Sequence, residues 1–316
     1  VSTTSGEAPA SHLAAATPVT RQAALASAAA RLRAAGLAPD AARLEAEVLL
    51  RHAAGLSREE LFLRPEDPID EAAARAYAAL VAQRAAGHPT AYLVGHREFF
   101  GIEFSVDPRV LIPRPETERL VEVVCEALRN RPAPAAADVG TGSGAIAVTL
   151  ARQLPALRVI ATDTSAGALQ VAQQNAARAG VAGRISWAEG SGTAPLEGRV
   201  PPGGLDAVAS NPPYIPTAEI AALPLEIRAH EPAAALDGGP DGLAVHREIV
   251  AGAARFLRAG GVLALEVAAP GAQAGAVCAL IRATGRYEAP SIVADYAGAE
   301  RVVLAVRGRD DADPRR

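Results

Sequence analysis

The residues with the most chemical potential are Asn211, Pro212, Pro213 and Tyr214, which follow an apolar run from Leu205 to Ser210. Asn211 and Pro212 each precede a proline and are biased to extended backbone, while the two prolines bring no N–H donors. The segment is therefore a stiff presenter of acceptors: the Asn211 side-chain oxygen and the Pro212 carbonyl, with the Tyr214 ring beside them. A planar NH2 group suits such a pair. Its nitrogen is a poor nucleophile because its lone pair is delocalised. Two acceptors on its hydrogens hold that lone pair toward an electrophile and stabilise positive charge as it develops. This chemistry needs no Ser, Cys, metal or His base, and the plain alternative for the tetrapeptide alone is a rigid turn at a strand end.

A second stretch runs Asp138, Val139, Gly140, Thr141, Gly142, Ser143, Gly144, Ala145. Its glycines let the backbone turn tightly and approach a ligand that a Cβ would push away, and the helix that follows offers free N–H groups at its start. Asp163 stands about 20 residues further on, the spacing at which an acidic residue meets ribose hydroxyls. Loop and Asp163 together point to a nucleoside cofactor without saying which, because Gly140, Gly142 and Ala145 also satisfy the dinucleotide fingerprint. An NAD-dependent dehydrogenase would use both but leave Asn211 to Tyr214 without a task. A catalytically silent binding module would predict a damaged loop, and the loop is intact.

The elements that must carry these residues alternate. Strands are expected at 136–139, 158–162, 185–188, 205–210, 262–267, 291–294 and 302–306, with helices at 144–154, 166–179, 242–259 and 272–284. Repeated βα units with Gly-rich turns imply an α/β, Rossmann-like, doubly wound and mostly parallel sheet whose ligands sit beyond the carboxyl ends of its strands. Before this comes a small all-α bundle: helices over 21–35, 41–54 behind Asp40, a short one behind Ser57, and 71–86 behind Asp70. Ser57 and Glu60 form a capping box, and Gly36, Gly55 and Gly87 stand where helices end. The run Tyr-Leu-Val-Gly-His-Arg-Glu-Phe-Phe-Gly-Ile-Glu-Phe-Ser-Val within 89–107 reads as two short strands around a turn. The expected organisation is a tail over 1–19, a helical domain over 20–86, a β-hairpin linker over 87–108, a catalytic domain over 109–307 and a tail over 308–316, both tails disordered by composition.

Composition narrows the class. The chain has 316 residues, half of them apolar, but only 3% aromatic and none Met, so small side chains must build much of the interior. Every basic residue is Arg, and the net charge is −4. A mildly acidic chain lacks the basic stripe of a protein held by nucleic-acid phosphates. No run is long and apolar enough to span a bilayer, and the stretch before Arg21 lacks the pattern of a signal or transit peptide, so a cytoplasmic protein is expected. Cys125 and Cys278 lack metal-ligand spacing and read as buried small hydrophobes.

With its strand order and its Asn-Pro-Pro-Tyr segment, the sequence resembles class I methyltransferases that use S-adenosylmethionine. Further stretches are similar to the HemK/PrmC family of peptide chain release factor glutamine methyltransferases: Pro89 to Gly101, Val110 to Glu118 (V-L-I-P-R-P-E-T-E), Asn211 to Pro216 and Glu231 to Leu243. Gly260, Gly261 and Glu266, then Asp295, Gly298 and Arg301, fit the family's C-terminal pattern. The resemblance implies a seven-stranded methyltransferase sheet. It also implies that Gly140, Thr141, Gly142, Ser143 and Gly144 wrap the cofactor's methionine part, that Asp163 binds its ribose, and that Asn211 contacts both cofactor and substrate. Asn211, Pro212 and Tyr214 would be catalytic. With Pro213, Arg114 and Glu116 they would hold the substrate glutamine, while Glu231 and Pro232 support the site. Phe99 or Phe100 would contact cofactor or substrate, or else pack the hairpin. Many relatives carry an Asp near the adenine where this chain has Ser191, with Glu189 two residues earlier, so adenine recognition has no assigned residue. The implied partner is a release factor, with no metal, no nucleic acid, no membrane and a monomeric enzyme. A glutamine of a ribosomal protein and an adenine in DNA are the alternative substrates, and the negative charge disfavours the second.

Overall fold

The structure is a computed structural model that describes residues 19–309. The tails expected at 1–19 and 308–316 lie outside the described residues, apart from positions 19, 308 and 309. The chain divides into two compact units, Val1–Leu93 and Val94–Arg316.

The first unit is helical: α1 (Arg21–Ala34), α2 (Pro39–Ala54), α3 (Arg58–Leu63), α4 (Glu71–Ala85) and the start of α5 (Thr90–Val94). Thr20 and Asp70 cap α1 and α4 by accepting from the backbone N–H groups of Ala23 and Ala73, and Ser57 with Glu60 forms the reciprocal box at α3. Asp40 is not the cap it was expected to be. The helix starts two residues earlier at Pro39, whose fixed φ suits a first turn, and Asp40 lies in that turn near the helix's positive dipole end. Gly55 closes α2 in a left-handed conformation at φ 63°. Ala24, Ala28, Leu32, Ala42, Ala46, Leu49, Leu50 and Val81 are buried, and the small residues among them let the helices approach closely. Tyr77 adds a ring to this core, and its hydroxyl donates to the Ala46 carbonyl at 3.0 Å.

In the second unit β1 (His96–Phe99) and β2 (Ile102–Ser105) form an antiparallel hairpin that turns through Phe100 and Gly101, at φ 54° and 72°. The residues Tyr92 to Val94, read from sequence as the start of a strand, belong instead to α5. The Pro89 carbonyl accepts from Tyr92 and Leu93 there and opens a helical turn. The chain then forms α6 (Glu118–Leu128), which the sequence reading omitted, and proceeds through β3 (Ala135–Val139), α7 (Ala145–Gln153), β4 (Arg158–Asp163), α8 (Ala166–Arg178), β5 (Ile185–Glu189) and β6 (Leu205–Ser210). A short α9 (Leu225–Arg228) precedes α10 (Ala244–Ala253), β7 (Leu257–Glu266), α11 (Gln273–Ala283), β8 (Ser291–Ala294) and β9 (Glu300–Val306). The helix expected over 242–259 is shorter at both ends, because β7 already begins at Leu257, where it pairs with Leu205 of β6.

The seven strands lie in the order β5-β4-β3-β6-β7-β9-β8. The first five are parallel, β9 runs antiparallel to β7, and β8 antiparallel to β9. Side chains alternate between two cores, as strand geometry requires. Ala136, Ala207, Ala209 and Ala264 face a core shared with Leu120 and Val124 of α6, Ile146 and Leu150 of α7 and the hairpin's Phe99 and Phe104. Ala137, Val208, Leu263 and Leu265 face the other, with Ile249 and Val250 of α10 and Val277 and Ile281 of α11. The sheet is thus covered on both faces, which leaves its carboxyl ends for ligands.

Candidate active site

From β3 the chain winds outward through β4 and β5 on one side, and from β6 through β7 on the other. This makes the gap between β3 and β6 the switch point where a doubly wound sheet opens a crevice. The Ser210 hydroxyl donates to the Val139 carbonyl at 2.6 Å and ties the two strand ends together. The glycine loop and Asn211 therefore leave the sheet side by side.

Gly140 and Gly142 adopt φ 74° and 54°, and a Cβ on either would meet no protein atom within 4 Å, so the space beside them is open to a ligand. Gly144 has a different task. A Cβ there would come within 3.1 Å of the Ala172 side chain, so its absence lets α7 pack on α8. The loop is shaped by two carboxylates. Asp138 is fully buried, and its Oδ2 accepts from the Thr141 hydroxyl at 2.6 Å and the Ala147 N–H at 3.1 Å. Burial pushes its pKa up to about 7 against the opposing pull of those two bonds. Asp163 accepts from the Gly142 N–H and the Ser165 N–H, both at 2.9 Å, and burial raises its pKa as well.

Three cavities meet at this point. The largest, about 260 Å³, is lined by Gly140, Gly142, Asp163, Ser191, Asn211, Pro212 and Pro213 among others. A second, about 120 Å³, is lined by Leu111, Arg114, Asn211, Pro212 and Tyr214. A third, about 50 Å³, lies between Phe99, Arg114, Thr117, Thr141, Ser143 and Asn211. Asn211 borders all three, and with Pro212 it forms a wall common to the first two. Its Nδ2 donates to the Thr117 hydroxyl oxygen at 3.1 Å, which leaves its Oδ1 as the free acceptor. Arg114 is held by the buried Glu231 carboxylate, which also accepts from the Ile112 N–H at 3.2 Å. Tyr214 is pinned through its carbonyl, which accepts from the Gln273 amide at 3.1 Å. Burial pushes its phenol up to about 12, so the hydroxyl stays neutral.

The structure gathers most of the residues singled out from sequence. Of the two phenylalanines, Phe99 lines the third cavity, while Phe100 packs on the core and donates its N–H to Glu118 at 2.8 Å. Glu116 is exposed and lines none of the three cavities. Ser191 borders the largest cavity and donates its hydroxyl to Glu248 at 3.0 Å, whereas Glu189 is exposed at the end of β5. Sequence reasoning gave no role to Leu111, Thr117 or Glu248. Thr117 lies inside a quoted motif, but its partner is 94 positions away and only the fold brings them together.

A seven-stranded doubly wound sheet with a glycine loop, an acidic strand end and an acceptor pair at its switch point defines a class I methyltransferase that takes its methyl group from S-adenosylmethionine. The open cradle at Gly140 and Gly142, with the Asp163 carboxylate in the same cavity, fits that cofactor. The chain belongs to the release factor glutamine methyltransferase family. Residues 23–95 match the PrmC N-terminal domain and residues 117–225 the methyltransferase small domain. It is 48% identical over 251 residues to the release factor glutamine methyltransferase of Moorella thermoacetica, covering 79% of this chain and 86% of that protein. It is 43% identical over 252 residues to the enzyme of the same name from Nitratidesulfovibrio vulgaris, covering 79% and 83%. Among solved structures the catalytic domain of hMettl16, in complex with a MAT2A 3′UTR hairpin, superposes with a TM-score of 0.54 at 16% identity. That match covers 74% of this chain and 84% of that one, a likeness of fold.

Proposed function

We propose that this chain transfers a methyl group from S-adenosylmethionine to the side-chain amide nitrogen of the glutamine in the Gly-Gly-Gln loop of bacterial peptide chain release factors, with Asn211 and Pro212 holding that amide. The observation that carries the site reading is the shared wall: Asn211 and Pro212 separate the cavity that holds the cofactor cradle from the one lined by Arg114 and Tyr214. When bound, the cofactor supplies a methyl group on a positively charged sulfur, an electrophile that needs no further activation.

The chain's own residues then act on the glutamine. Asn211 Oδ1 and the Pro212 carbonyl accept the two amide hydrogens and fix the plane of the NH2 group, so that its lone pair faces the methyl. Both hydrogen bonds strengthen as the nitrogen becomes positive, which lowers the barrier more than it tightens binding. The nitrogen gains a C–N bond as the S–C bond breaks, and it gives up one proton to solvent water to restore a neutral amide. Arg114, fixed by Glu231, supplies a charged donor at the mouth of the smaller cavity for backbone carbonyls next to the glutamine. The helical unit grips the release factor away from the glutamine.

The enzyme works as a monomer in the cytoplasm on a protein substrate, without direct contact to nucleic acid. The net charge of −4 supports the last point, and among the described residues no helix is long and apolar enough to cross a membrane. The test is mass spectrometry of release factors incubated with enzyme and cofactor, with fragmentation to locate the methyl group. A single added methyl on the Gly-Gly-Gln glutamine is the expected result. A methylated ribosomal protein or adenine with release factors untouched overturns the assignment.

A further inference from the structure

The Asn211 amide presents an acceptor to the substrate only if it is the right way round. Rotated by 180° about its last side-chain bond, it would present NH2 to the NH2 of the substrate, and the site would repel what it must hold. The residue that decides between the two is Thr117. It ends the 3-10 turn Pro115–Thr117 before α6 with helical φ −67° and ψ −19°, a geometry that turns its hydroxyl away from the first-turn N–H groups, and its side chain makes no capping bond. Instead the hydroxyl of this buried residue, 4% exposed as a whole, accepts from Asn211 Nδ2 at 3.1 Å. A hydroxyl has one hydrogen, so what it donates to sets what it can accept.

The neighbour on its far side is Glu266. The strand register pairs Ser210 with Leu265, so Asn211 and Glu266 leave β6 and β7 as adjacent residues. Glu266 is 1% exposed and its Oε2 has no hydrogen-bond partner, while the nearby Thr117 side chain pulls the carboxyl's pKa down. Motif positions 117 and 266 thus meet beside Asn211, although the methyl-transfer chemistry itself uses neither.

We infer that Thr117 and Glu266 are positioning residues: the Thr117 hydroxyl directs its hydrogen at the buried carboxylate, which leaves it only lone pairs to offer Asn211 and locks the amide with Oδ1 toward the substrate. The inference rests on the reading of Asn211 as the holder of the substrate amide. The polarity of the relay depends on the charge of Glu266. A protonated carboxyl could donate to Thr117, release its hydrogen toward Asn211 and favour the wrong amide orientation. Burial pushes the Glu266 pKa up to about 7, against the Thr117 bond and the Arg301 and Arg114 charges that pull it down, while Glu116 pushes it up. Tyr214 also faces it, and His246 on α10 bonds its backbone carbonyl at 2.9 Å through Nε2. The active polarity therefore prevails above about pH 7 and is lost below it.

The experiment uses the full-length chain and compares Thr117→Val, Thr117→Ser, Glu266→Gln and Asn211→Ala. For each, kcat and KM are measured on a release factor from pH 5.5 to 8.5, with S-adenosylmethionine affinity by calorimetry. We expect Thr117→Val to lower kcat ~30-fold or more, in line with loss of one aligned hydrogen bond, with cofactor affinity unchanged, and Thr117→Ser to restore most of it. Glu266→Gln should lower kcat and abolish its acid limb near pH 7. That outcome also separates Glu266 from Asp138, which titrates in the same range.

A second readout needs no turnover. The chain has three asparagines, Asn130, Asn175 and Asn211, so selective 15N-Asn labelling gives three side-chain NH2 pairs. The Asn211 pair, identified by its absence in Asn211→Ala, should shift with pH around 7 in the wild-type protein and lose that dependence in Glu266→Gln. Wild-type kcat in Thr117→Val, equal impairment in Thr117→Val and Thr117→Ser, or an Asn211 pair indifferent to pH would overturn the relay. Full activity in Asn211→Ala would instead remove the reading on which it rests.

Discussion

The glycine loop and the Asn-Pro-Pro-Tyr segment lie side by side at the ends of β3 and β6, and they solve opposite problems. The loop discards side chains: Gly140 and Gly142 take left-handed backbone that clears space, with the Gly140 N–H held by the Thr162 carbonyl, the Gly142 N–H by the Asp163 carboxylate, and Thr141 and Ala147 by the buried Asp138. The second segment discards donors: Pro212 and Pro213 have no N–H to offer, while Thr117 holds the Asn211 amide by its Nδ2 and Gln273 holds the Tyr214 carbonyl. In the function proposed, the first admits a ligand and the second aligns a reacting group. Damage to them should therefore separate binding from turnover.

The largest expected effect is at Asn211. Replacing it with Ala should cut kcat ~10³-fold while S-adenosylmethionine affinity stays within a few-fold, because the lost bond is made mainly in the transition state. Steady-state kinetics with calorimetry on the same preparation checks this split. Gly142→Ala should show the reverse. A Cβ at φ 54° is strained and enters the open space proposed for the cofactor, so affinity should fall ~10²-fold while kcat at saturating cofactor falls far less. Arg114→Ala should spare cofactor binding and raise KM for the protein substrate ~10-fold, as loss of one charged contact does. Glu231→Gln should reproduce part of that rise.

The smallest effect concerns stability. The Asp138 pKa is raised in the fold, so its contribution is greatest at low pH and is lost as pH rises from the ordinary carboxylate range through about 7. Asp138→Asn keeps the acceptor oxygen and removes that loss. Its melting temperature relative to wild type should therefore climb by ~3 °C or more between pH 5 and pH 8; a difference that does not change with pH would contradict the buried, uncompensated charge.

Both segments were legible in the sequence because each depends on residue types with few other uses. Glycines at alternate positions and an Asn before two prolines announce backbone geometry directly, and the run from Leu205 to Ser210 located β6 to the residue. What escaped was long-range or ambiguous. The helix α6 buries Leu120, Val121, Val124 and Leu128 at helical spacing, but Val is as much at home in a strand, and the helix has no side-chain cap to mark its start. The strand β7 begins with Leu257, Arg258, Ala259 and two glycines, which reads as a helix end until pairing with β6 supplies its hydrogen bonds. Thr117 and Glu266 were visible as letters in two motifs, yet nothing local could say that they meet.

The common wall of the two larger cavities has a thermodynamic consequence. Asn211 and Pro212 face both, so whichever occupant orders them first prepares them for the other. The factor by which cofactor tightens substrate binding must then equal the factor by which substrate tightens cofactor binding. The enzyme can accordingly be slowed from either side, and a ligand that fills one chamber and stiffens the wall would be read as affinity in the chamber it never enters.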